Sequence, residues 1–159
     1  MSGFIFEQLW FARNNTIERV SELDEASSLI TPEHFNNNIK WNLGHIYLIH
    51  EKFAFHVTGE ETKIPGNFLD IFSPGTRPSE WINVEIPKLD ELITMLKKQV
   101  DRIEKTQRSQ LKTYVDKPYT TSTGLTLSTV EALLSFCLYH EGMHFDAIKS
   151  IKRIIQSEM

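Results

Sequence analysis

His140 and His144 stand four residues apart in Tyr139-His140-Glu141-Gly142-Met143-His144. On a helix that spacing stacks two imidazoles on one face, roughly 6 Å apart at Cβ, near enough to clamp one metal ion. The same face carries Leu133, Cys137, Ala147, Ile148 and Ile151, so it reads as the buried stripe of an amphipathic helix. A single histidine on such a stripe is ordinarily a hydrogen-bonded core residue; a pair at this spacing points as readily to a metal site. Read literally, His140-Glu141-Gly142-Met143-His144 also matches the zinc-peptidase pattern, in which the glutamate activates a water. Against that, no histidine follows His144, Glu158 lies beside the end of the chain, and no strands are evident to hold an extended peptide. Glu141 then reads as a carboxylate behind the ligands or at the solvent edge.

A third ligand must come from another element. A second helix is predicted from about residue 39 to 57, with Trp41, His45, Leu48, Ile49 and Phe53 on or near one side. His50 falls about 140° round from His45, and His56 returns to its face roughly 16 Å along the axis, too far to share an ion. His45 is therefore the candidate ligand; His50 and His56 are expected at the surface or rim. His34, in a polar connection, has no periodic context.

The remaining elements follow from the same periodicities. Phe6, Leu9, Trp10, Ile17 and Val20 predict a first helix over 4–23, interrupted by Arg13, which either snorkels at the core edge or points a charge into a pocket. Thr31-Pro32-Glu33 suggests a short helical turn, and Asn36-Asn37-Asn38 an N-cap for the second helix. Ile86, Leu89, Ile93, Leu96, Val100 and Ile103 mark a third helix over 85–107. The threonine-rich segment 114–126 suits a hairpin or irregular loop, and Ser128 with Glu131 reads as a capping box opening the last helix, which runs to about 155. Residues 59–84, broken by Pro65-Gly66, Ser73-Pro74-Gly75 and Arg77-Pro78, read either as a crossover or lid facing substrate or as a packed surface loop.

The pattern predicts an all-α fold: a four-helix bundle with a long crossover loop between helices 2 and 3, in one domain over 1–159. In such a bundle His45 can meet His140 and His144, giving three neutral nitrogen donors and a free fourth position, the pattern of an open, reactive site. Proton competition for those donors is expected near pH ~6.5. With 40% hydrophobic and 24% charged residues and a net charge of -4, the chain is globular in composition and shows no basic patch for nucleic acid. No run is apolar enough for a membrane, and Met1-Ser2-Gly3-Phe4 shows no signal-peptide pattern, so a cytoplasmic protein is expected. Cys137, the one cysteine, reads as a small core residue.

Trp41-Asn42-Leu43-Gly44-His45, Phe72-Ser73-Pro74-Gly75-Thr76-Arg77-Pro78 and Tyr139-His140-Glu141-Gly142-Met143-His144, in that order, give the chain a pattern that resembles the DinB-like four-helix bundles. The resemblance implies one divalent metal ion per chain, zinc or nickel, on His45, His140 and His144, and a homodimer. It further implies a transferase or isomerase working with a low-molecular-weight thiol such as bacillithiol or mycothiol. The expected function is a metal-dependent thiol S-transferase acting on a small thiol and an electrophilic substrate. The alternatives are a non-enzymatic metal-binding bundle with a stress or partner-binding role and, third, a zinc metallopeptidase.

Overall fold

The computed structural model describes residues 3–158, so the reading of Met1 and Ser2 lies outside it. The elements run α1 (Phe4–Val20), α2 (Glu25–Ser28), α3 (Ile39–Glu51) continuing as a π-helix (Lys52–His56), α4 (Phe68–Phe72), a 3-10 turn (Pro78–Glu80), α5 (Leu89–Gln107), β1 (Tyr114–Thr120), β2 (Thr126–Thr129) and α6 (Val130–Ser157). The four long helices close a ring in which α1 and α3 each pack against both α5 and α6. This is the expected all-α bundle with a crossover between its second and third long helices. β1 and β2 form a small antiparallel hairpin, with Gly124 at positive φ in its turn. Among the described residues, no helix is long and apolar enough to cross a membrane.

Local chemistry fixes the boundaries. Asn38 caps α3 as expected, its side chain accepting from Trp41 N at 2.7 Å. Helix α6 starts one residue later than expected: Thr129, not Ser128, has the extended cap backbone and accepts from Ala132 N. Helix α5 starts at Leu89 and not at 85, because Pro87 holds its neighbour extended. The Glu91 carboxylate then closes the new end by accepting from Lys88 N at 2.9 Å. The helical turn expected at Thr31-Pro32-Glu33 is only a turn; the short helix lies earlier, at Glu25–Ser28, capped by Asp24.

Residues 59–84 pack down. Phe68, Ile71 and Phe72 of α4 are buried against α3, and Trp81 sits edge-on to Phe72. With this crossover on its outer side, α3 is buried all round, every one of its thirteen residues included. The apolar core separates into two clusters, one with Val20, Ile46, Phe72, Leu96 and Ile148, the other with Leu9, Phe53, Val100, Leu134 and Cys137. Between them, on every long helix, come buried polar residues: Arg13 and Thr16, His50, Gln99, and Glu141.

Candidate metal centre

His45 projects from α3, His140 and His144 from α6, and one ring nitrogen of each lies within 4.8 Å of the others. Each helix is long and packed, so the imidazoles inherit fixed positions. His45 is held most firmly. Its Nδ1–H donates to the carbonyl of Phe72, 2.7 Å away at the end of α4, where helix carbonyls have no partner within the helix. Trp41, one turn earlier, stacks flat on the ring with centroids 4.5 Å apart and an interplanar angle of 12°. The indole N–H of Trp41 in turn donates to Thr76 Oγ1 at 3.0 Å.

His144 is anchored by Asn42. The Asn42 amide nitrogen donates to Asn38 O at 2.8 Å, which turns its Oδ1 toward His144; Nδ1–H of His144 donates to it, also at 2.8 Å. A histidine whose Nδ1 carries the proton presents a lone pair at Nε2. His45 and His144 are therefore both set as Nε2 donors. His140 Nε2 stands 3.2 Å from His45 Nε2, while His140 Nδ1 is buried without a hydrogen-bond partner. Two nitrogens each about 2.0–2.1 Å from one tetrahedral ion stand roughly 3.3 Å apart, so the residues present fit a divalent metal.

Burial lowers the pKa of all three rings. His45 is lowered despite its bond to Phe72. His144 falls to about 4 through burial and the nearby His45, and His140 to about 2 through burial and its neighbours His144 and His45. All three are neutral at pH 7, the state a metal requires.

Gly44 is the close-approach point. A Cβ there would lie 2.4 Å from two atoms of the Phe72 ring, so only glycine lets α4 come near enough for its carbonyl to reach His45.

Three expectations are corrected. Arg13 neither snorkels nor lines a pocket: it is fully buried, its Nε donating to Glu141 Oε1 at 2.9 Å and its Nη1 to Leu96 O at 2.6 Å and Gln99 Oε1 at 3.1 Å. Glu141 is not at the solvent edge. It accepts from Arg13 and from Thr16 Oγ1, and none of its hydrogen bonds is to the three histidines. Burial pushes its carboxyl pKa up, but Arg13 and His50 outweigh that and hold it well below the usual range. His50 is not at the rim but fully buried, its Nε2 3.3 Å from Glu141 Oε2 though poorly aligned for a hydrogen bond. It does lie off the His45 face, but that direction points at Glu141 of α6 and not at solvent. His56 and His34 are exposed, and Cys137 is a core residue whose thiol burial pushes well up.

Asn42 and the Phe72 carbonyl are the functional groups that sequence reasoning missed. Asn42 had a signal, lying four residues after the Asn38 cap and three before His45 on the same helix; a backbone carbonyl has none.

A family model described as the DinB superfamily matches residues 8–148. No curated protein matches this chain. Among solved structures, one described as the crystal structure of the conserved protein of a locus from Enterococcus faecalis aligns with a TM-score of 0.71. It covers 99% of this chain and 98% of that chain at 15% identity, a likeness of fold alone. With the family model spanning all four long helices and the three converging histidines, the chain belongs to the DinB superfamily.

Proposed function

We propose that the chain binds one divalent metal ion, zinc or nickel, through His45, His140 and His144 and catalyses S-transfer between a low-molecular-weight thiol and an electrophile. The observation that supports this best is the orientation of the ligand set. Phe72 and Asn42 take up the outer nitrogens of His45 and His144, leaving their Nε2 lone pairs convergent with His140. A divalent ion held by neutral imidazoles keeps its full charge and acidifies a thiol or water in a remaining position. In S-transfer the thiol loses its proton, its sulfur forms a bond to the electrophilic carbon, and the leaving group departs with the electron pair of the broken bond.

The chain's own residues fix the site. Trp41 covers one face of His45 and keeps water from it. Cys137, buried in the core, stays protonated and does not compete as nucleophile. Glu141 is engaged by Arg13 and Thr16 and so is not placed as the general base a peptidase needs.

The test begins with metal analysis of protein purified without an affinity tag, with one ion per chain expected and stoichiometric binding lost in His140→Ala and His144→Ala. The loaded protein is then given a haloaromatic electrophile and a panel of small thiols. If no thiol reacts faster than with His144→Ala, S-transfer fails and the non-enzymatic metal-binding reading replaces it.

A further inference from the structure

The face of α3 that carries His45 continues past the metal centre. Leu48, Ile49, Lys52 and His56 line one wall of a cavity of about 370 Å3, closed opposite by Ile64, Leu69 and residues 73–74 of the crossover. None of the three histidines lines the cavity, but two of its lining residues neighbour the centre along the chain. Ile49 lies one turn after His45, and helical side chains lean toward the N-terminus, here toward His45. Residue 73 directly follows Phe72, whose carbonyl holds the His45 ring.

The cavity walls are mostly apolar, with the Lys52 ammonium as their charged group. No acidic residue lines it, whereas Lys52 and His56 do. Among the described residues no carboxylate pairs with Lys52; its Nζ stands 3.4 Å from Tyr119 Oη and over the Tyr119 and Phe53 rings. Lys52 and His56 are the first and last residues of the π-helix, whose opening bond runs from Val57 N to Lys52 O at 2.8 Å. One-turn π segments recur at functional sites. At about 30 Å3 per water-sized unit, the volume holds roughly a dozen non-hydrogen atoms.

We infer that this cavity binds a small amphiphilic carboxylate, its apolar body against Leu48, Ile49 and Leu69 and its carboxylate on Lys52 and His56. Where the S-transfer reading holds, on which this last clause rests, the cavity seats the electrophile beside the metal centre.

Octanoate is the probe and octan-1-ol its uncharged control, titrated into the metal-free His144→Ala protein and followed by amide chemical shifts and calorimetry. One octanoate per chain is expected, with shifts confined to residues 45–57 and 64–74. Lys52→Met should weaken octanoate about tenfold and leave octan-1-ol unchanged. Leu69→Trp, at an exposed position, should weaken both by filling the cavity. Octanoate no tighter than octan-1-ol, an unchanged affinity in Lys52→Met, or shifts elsewhere would overturn the inference. Binding is read without metal, so failed thiol turnover with octanoate bound sinks S-transfer alone. Active turnover that octanoate neither binds nor inhibits sinks the cavity alone.

Discussion

Gly44→Ala tests whether α4 is held against α3 as closely as the His45 anchor requires. The added Cβ would stand 2.4 Å from Cε1 and Cζ of Phe72 and 2.5 Å from Cδ1, about 1 Å inside ordinary carbon contact. Phe72 has nowhere to turn, since it is fully buried and flanked edge-on by Phe68 at 5.0 Å and Trp81 at 5.8 Å. Such overpacking costs about 1–3 kcal/mol, set against about 1 kcal/mol gained by replacing glycine inside a helix. Gly142, also in a helix interior, meets nothing within 4 Å, so Gly142→Ala should show the gain alone. The two variants should therefore differ by about 1–3 kcal/mol in urea denaturation with metal chelated. A shift of the Phe72 carbonyl also breaks its 2.7 Å bond to His45, and losing such a support weakens metal binding by about 10–100-fold. Competition with a zinc-sensitive dye reads that directly. Equal stability of the two variants, with metal affinity intact in Gly44→Ala, would refute the close approach and the anchoring role together.

Glu141→Gln should destabilise the fold by about 3–5 kcal/mol, because the Arg13 charge is left buried and uncompensated; Arg13→Met with Glu141→Leu should be less destabilised than either single change. Urea midpoints of these four variants and the parent protein decide it. Asn42→Ala should weaken metal binding by about 10–100-fold through loss of the His144 anchor, whereas His56→Ala leaves it unchanged in the same dye titration. The metal-free protein should lose stability as pH falls from about 6.5 toward about 4. Over that range the unfolded chain takes up protons that His45, His140 and His144 refuse while folded, at most about 1.4 kcal/mol per pH unit for each. For the same reason metal should be retained below the pH near 6.5 expected from free histidine, and release at that pH would contradict the lowered values.

The bundle was legible because its long helices carry apolar stripes at helical spacing, as Leu89, Leu96, Val100 and Ile103 do on α5. The three histidines were legible because four-residue spacing and a shared apolar face are properties of sequence alone. What escaped depends on tertiary direction. The periodicity of α3 shows one rich face, but its other sides are buried by the crossover and by the remaining long helices, and His50 meets Glu141 of α6, a direction that nothing in the α3 sequence records. Arg13 and Glu141 each look anomalous on their own stripe, and nothing local says that they face each other across 128 residues. Ser128 and Thr129 are both sound caps by residue type, and only the backbone turn decides between them.

The pairing of the first long helix with the last orders events during synthesis. His45 precedes His140 by 95 residues and Arg13 precedes Glu141 by 128. At about 5–20 residues per second, the ribosome takes roughly 6–25 s to supply the partner of Arg13. Until α6 emerges, α1 must keep its guanidinium in water, and His45 on α3 lacks the two histidines that it meets on α6. A growing chain thus has no finished site with which to capture whatever ion is at hand. An ion taken up by these histidines would be loaded into the closed bundle, and a rigid site, not a nascent peptide, would select it.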